Sequence, residues 1–409
     1  MNSLRSSGML LVLTTALALT ACTPPEAGPT PAASSPSATP TPSPTVAAIS
    51  APAPVFDVAC GDLASEATLA DALGASAISI DPAEATMGAY PAISPTYAVR
   101  SLGGITCEWS NGEPQSDTAG LNPAYVGTRV LVLPNATSQW ERYLAYYGPE
   151  AEGDYCGAYE GPLHCTTDVL TGSTWVQLTT VGATSEAAAS ALGAEVVAAI
   201  SGAGPGAAPW TPPAGTSALP ADCPGVIPDA AVQSALGIDA TVQASSGGGG
   251  WSLEAGAREN WGGPHCYWAF LDSDAGVGSL ATLPGGAWAW DEARTFLTLP
   301  SVPEAVTIAG LSADDEAWLR CAPGDAYCLI DLVIGGNWVE AYVWPDDAGF
   351  SIDRRAGTLA IGEAIVASLA WSPDGRRLAG AGQDGRLLVW NTASPARKVA
   401  LSTPARPGA

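Results

Sequence analysis

Between residues 338 and 344 the chain alternates without a break. Val339, Ala341 and Val343 fall on one side of an extended strand, and Trp338, Glu340, Tyr342 and Trp344 on the other. A shorter alternation sets Val176 and Leu178 against Trp175, Gln177 and Thr179. The aliphatic side of each strand is expected to lie under helices. Helical spacing supplies candidates: Leu69 and Leu73 stand four apart before Gly74, and Val232 and Leu236 four apart before Gly237. Each glycine is placed to end its helix in the left-handed conformation. Longer apolar stripes run through Leu192–Ile200 and Ile361–Leu369. Val130–Leu133 reads as a strand stopped by Pro134, and Leu283-Pro284 as its counterpart; a tryptophan, Trp140 or Trp290, follows each on a predicted helix. Each half thus reads helix, two strands, helix, two strands, helix. The predicted fold class is α+β, an antiparallel sheet with helices on one face.

The pattern occurs twice at a fixed offset. Cys165, Asp168, Gly172, Trp175 and Val176 return 163 residues later as Cys328, Asp331, Gly335, Trp338 and Val339, and Cys60, Leu73 and Gly74 return as Cys223, Leu236 and Gly237. This spacing predicts two tandem homologous domains, residues 55–201 and 222–370, joined by a Pro/Gly/Ala-rich linker over 202–221. The early Cys, the Ala-Leu-Gly helix end and the Cys107-Glu-Trp109 and Cys266-Tyr-Trp268 strands resemble a group of actinobacterial lipoproteins. The likeness implies a cell-envelope protein and carries no activity with it.

The N-terminus supports that placement. Residues 1–21 carry one early charge, Arg5, and then an apolar run from Gly8 to Ala21 with the layout of a secretory signal. The run ends Leu19-Thr20-Ala21-Cys22, which resembles the lipobox of bacterial lipoproteins. The resemblance implies cleavage before Cys22 and acyl chains on it, and so a stable anchor on the extracytoplasmic face of the membrane. Residues 22–54 are rich in Pro, Ser, Thr and Ala, a composition expected to form an extended, disordered stalk.

Composition narrows the function classes. Fifteen basic residues against 40 acids give a formal charge of −25, which argues against nucleic acid as a partner. Export permits disulfides, and the eight cysteines after Cys22 divide four and four. Each quartet allows three connectivities. The short loops between Cys156 and Cys165 and between Cys321 and Cys328 favour first with second and third with fourth: Cys60–Cys107, Cys156–Cys165, Cys223–Cys266 and Cys321–Cys328. A zinc site is the rival, but the Cys-x2-Cys knuckles it needs are missing. No metal or cofactor is expected.

Catalytic motifs are sparse. The two histidines, His164 and His265, do not occupy matching places in the repeat and read as loop residues. Asp272-Ser-Asp274 lacks the remaining ligands of a calcium loop. Gly380-Ala-Gly382-Gln-Asp-Gly385 matches a dinucleotide fingerprint by letter, but a predicted strand follows it instead of a helix. Asp168 and Asp331 are matched between the halves. They read as turn or cap aspartates before Gly172 and Gly335, or, in an acid-based envelope enzyme, as functional carboxylates. Trp251, Trp261 and Trp288 do not repeat; on a Gly-rich loop they would form an exposed aromatic set for an envelope glycan or peptide. A binding or structural module, not an enzyme, is the expected function.

The charge reverses near the C-terminus. Residues 1–371 hold nine basic and 38 acidic side chains, and residues 372–409 six and two. From about Ser368, with Ser372-Pro-Asp-Gly375, Gln383-Asp-Gly385 and Trp390-Asn391, the text resembles one WD repeat of a β-propeller. The resemblance implies four short strands, and an interaction scaffold only where other blades exist. A lone blade at 371–409 is expected to form at most a hairpin or two.

Overall fold

The computed structural model describes residues 50–74, 77–82, 84, 95–113, 116–117, 120–158, 161–246, 252–271, 275–297, 302–344, 352–371, 377–381, 387–391 and 398–401. Cys22, the signal segment, Trp251, Asp272 and Asp274 lie outside them.

In the first half, Ser65 caps helix α1 (Glu66–Leu73) by accepting the Thr68 amide, and Gly74 ends it at φ 69°. Strand β1 (Ile78–Ile80), helix α2 (Pro95–Ser101), β2 (Ile105–Ser110) and β3 (Gly127–Leu133) follow. Then come α3 (Thr137–Tyr147), a meander of β4 (Gly153–Ala158), β5 (Leu163–Thr171) and β6 (Thr174–Val181), and α4 (Glu186–Gly202). The antiparallel sheet runs β1-β2-β3-β6-β5-β4.

The second half comprises α5 (Asp229–Leu236), β7 (Val242–Ser246), α6 (Leu253–Trp261), β8 (His265–Phe270) and β9 (Gly276–Leu283). It continues with α7 (Ala287–Phe296), β10 (Glu304–Ala305), β11 (Glu316–Cys321), β12 (Cys328–Ile334), β13 (Asn337–Val343) and α8 (Arg354–Ser368). Its sheet runs β7-β8-β9-β13-β12-β11-β10, the order of the first sheet with one short strand added at the far edge.

The chain is therefore mixed helix and antiparallel sheet, with four disulfides in the pairing the spacing favours: Cys60–Cys107, Cys156–Cys165, Cys223–Cys266 and Cys321–Cys328. The aliphatic strand faces lie under helices. Val130, Val132, Val176 and Leu178 pack with Leu192, Val196 and Ile200 of α4, and Val339, Ala341 and Val343 with Ile361 and Ile365 of α8.

Two features differ from the expectation. An edge strand (β1, β7), a helix (α2, α6) and a third meander strand in each half were not anticipated. β1 is only three residues long, and α6 lies where glycines suggested a loop; Ser252 caps α6 through the Ala255 amide and Leu253 and Ala257 bury its inner side. Helices also cover both sheet faces, not one. Tyr97 of α2, Trp140 of α3, Leu253 of α6 and Trp288 and Trp290 of α7 share one cluster with Trp175 and Trp338, which stand on the inward faces of the two sheets. The linker segment 202–221 is hydrogen-bonded to the second half: Ser217 donates its amide to the Gly335 carbonyl, and Asn337 Nδ2 donates to the Ser217 carbonyl, each at 2.9 Å.

The seam between the halves is charge-ordered. Arg100, Arg129 and Arg142 are the only basic residues between 55 and 201. Each pairs across the seam, with Glu292, Glu254 and Glu259 respectively. After α8, strands β14 (Ala370–Trp371), β15 (Arg377–Ala381), β16 (Leu387–Asn391) and β17 (Lys398–Leu401) pair in sequence order as a four-stranded antiparallel meander. Neighbours in sequence pair here because their loop-closure cost is the smallest available.

Candidate functional site

The two matched aspartates are neither turn nor cap residues. Asp168 lies within β5 and is 3% exposed; Asp331 lies within β12 and is fully buried. The alternation that sends Trp175 inward sends Asp168 inward as well. Asp168 Oδ1 accepts from Trp175 Nε1 at 2.8 Å and from Gln177 Nε2 at 2.9 Å, and Oδ2 accepts from the Tyr143 hydroxyl at 3.3 Å. Burial raises its pKa, the three donors partly offset that, and Glu254 adds to the rise.

Asp331 meets the same indole position, with Trp338 Nε1 at 3.0 Å from Oδ1, but its other partner is ionic. Arg320 Nε donates to Oδ2 at 2.7 Å, and Arg320 Nη2 reaches Glu340 at 2.8 Å. Glu340 replaces Gln177 at the repeat offset, and Ala293 replaces Tyr143 three residues after the helix tryptophan. Where the first half has two donors the second has an acid and a methyl, and one buried arginine serves both carboxylates there. Burial pulls the Arg320 guanidinium down, but Asp331 and then Glu340 outweigh it and keep it charged. The two aspartates share no hydrogen-bond partner, so they do not form a dyad.

Of the unrepeated tryptophans, Trp261 and Trp288 are not exposed, and Trp251 lies outside the described residues. Trp288 is 4% exposed within the shared aromatic core, 5.6 Å from Tyr97 between ring centroids. Trp261 is partly buried, donates Nε1 to the Pro284 carbonyl at 2.8 Å and lies 5.5 Å from the ring of Trp210. Helix α6 carries Trp261 inward, and Trp288, on α7, is covered by Tyr97 of α2. The histidines sit on strands β5 and β8 rather than in loops. Among the described residues, the cluster with metal-ligand spacing is Cys321, Asp325 and Cys328; both sulfurs are in a disulfide and offer no thiolate.

A cleft that no sequence motif marks lies on the α1 side of the first sheet, at its β1 edge. Its volume is about 670 Å³, and Gly61, Ala64, Glu66, Ala67, Ala70, Ala77, Ser79 and Trp109 line it. That size suits a small ligand or a few residues of a peptide. Ser79 stands opposite Trp109 across the β1–β2 ladder, so both face α1, beside the Cys60–Cys107 disulfide. Small side chains on α1 and β1 leave the gap, and the indole forms its floor.

The second half ties helix to strand at the matching place. Ala244 stands opposite Trp268 as Ser79 stands opposite Trp109. Its amide donates to Asp229 Oδ1, at the first position of α5, at 3.1 Å. Glu66 holds that first position in α1, yet no bond joins it to Ser79 among the described residues. The repeat offset does bring Glu66 onto Asp229, and that exchange was the available signal. No family model, curated protein or solved structure matches the chain.

Proposed function

We propose that the protein is a lipid-anchored binding module of the cell envelope. In this reading Cys22 carries the anchor, residues 22–54 are the stalk, and two domains descended from a duplication form the body. The cleft beside Trp109 takes the ligand. The carrying observation is the asymmetry just described: one half keeps a cleft of about 670 Å³ where the other half ties helix to strand through Asp229 and Ala244. The first half is the binding half and the second its structural brace. Four disulfides suit an oxidising, extracytoplasmic setting.

Thermal-shift titration with soluble envelope glycan fragments and peptides tests this reading. At least one class is expected to raise the melting temperature of the wild type and leave Ala67→Trp unmoved, because the new indole fills the cleft. Ligands that shift both proteins equally would contradict it. The anchor is tested by Cys22→Ala, which is expected to leave the membrane fraction and to take up no labelled fatty acid.

A further inference from the structure

The cleft has a donor on one wall and a negative charge on the other. Among the described residues β1 is the edge of its sheet and pairs with β2 alone, so one side of its backbone has no strand partner among them. By the register shared with β7, Ser79 turns its N–H to that side, as Ala244 does. Ala244 has Asp229 as acceptor, whereas the Ser79 amide has none among the described residues. Across the gap stands Glu66, exposed and the one charged residue that lines the cleft. The remaining walls are alanine and glycine with Leu69 and the Trp109 indole, which leaves room for an extended chain.

We propose that the cleft binds an extended peptide carrying a lysine or arginine, which adds as a strand to β1 and sets its cation against Glu66. Strand addition to an open edge uses main-chain hydrogen bonds for affinity and side-chain positions for selectivity. Here the Ser79 N–H would meet a peptide carbonyl, and the carboxylate would select the charge. A protein with a formal charge of −25 also favours encounter with a cationic segment. The inference rests on the cleft being the binding site.

The test selects random heptapeptides from a display library on the full-length protein, with counter-selection on Ala67→Trp. Position 67 is exposed on α1, so the variant is expected to fold, and its melting curve verifies this. Selected peptides are expected to carry Lys or Arg at one fixed position. They should weaken about tenfold on Glu66→Gln and on Ser79→Pro, which removes the donor, and bind Ser79→Ala, which keeps it, as they bind wild type. Glu66→Lys should turn selection toward acidic peptides. Pools without basic enrichment, or peptides that bind Ser79→Pro as well as wild type, would overturn the inference. N-acetylglucosamine oligomers are titrated in parallel. If they bind and Ala67→Trp abolishes this while no peptide is enriched, the peptide inference fails and the cleft stands; if neither probe is sensitive to Ala67→Trp, both fail.

Discussion

The indole of Trp175 donates to the buried carboxylate of Asp168 at 2.8 Å, and 163 residues later Trp338 repeats the bond to Asp331 at 3.0 Å. The pair is the same, but its surroundings are not: Asp168 is served by neutral donors and Asp331 by a buried arginine. Removing one partner of a buried ion pair strands the other charge, at a cost of about 3–5 kcal/mol, whereas exposed pairs contribute about 0–1. Arg320→Met is therefore expected to destabilise by about 3–5 kcal/mol in urea unfolding, because Asp331 and Glu340 lose their cation. Arg142→Met, at a pair more than 40% exposed on both sides, should cost less than about 1 kcal/mol.

Glu108 predicts a pH dependence. It is buried on β2, and burial raises its pKa above the ordinary 4.5, with the Tyr125 hydroxyl and Arg129 partly offsetting the rise. Such a carboxyl holds its proton more tightly folded than unfolded. Its stabilising contribution is thus fully present below pH 4.5 and is lost as pH climbs through the raised folded value. Glu108→Gln keeps an acceptor for Tyr125 and never ionises. The variant is expected to melt above wild type at pH 7, with the advantage shrinking on acidification and gone by about pH 4. An advantage that grows toward acid would contradict the assignment.

The seam makes the halves interdependent. Tyr97, Trp140 and Trp175 from one half and Trp288, Trp290 and Trp338 from the other share one buried cluster, with Tyr97 against Trp288 and Trp338, and all three arginines of the first half pair across. Residues 222–370 produced alone are expected to bind a hydrophobic dye and to lack a sharp near-ultraviolet transition. The full chain should unfold with coincident far- and near-ultraviolet transitions. Two separate sharp transitions would show instead that each half holds its own core.

Much of this fold is legible in the sequence. The alternation at Val339, Ala341 and Val343 located the face that packs against α8, and the cysteine spacing favoured the disulfide pairing. What escaped depends on tertiary context. Asp168 and Asp331 read as turn residues because a buried carboxylate is favourable only with its donors, and Tyr143 and Arg320 lie far away in sequence. Trp288 read as an exposed ring because its cover comes from Tyr97 in the other half. The cleft was invisible because it arises where small side chains fail to fill a space, at Ala64, Ala67, Ala70 and Ala77, and no motif announces a gap.

The most direct measurement follows Trp109 itself. With 5-fluorotryptophan incorporated, the Trp109 fluorine resonance is assigned through Trp109→Phe and followed while lysine-containing heptapeptides or N-acetylglucosamine oligomers are added. The account predicts that a binding ligand moves the Trp109 resonance and leaves that of Trp268, its sealed counterpart, in place. A ligand that shifts Trp261 or Trp268 while Trp109 stays unmoved would place the binding site elsewhere and contradict the account.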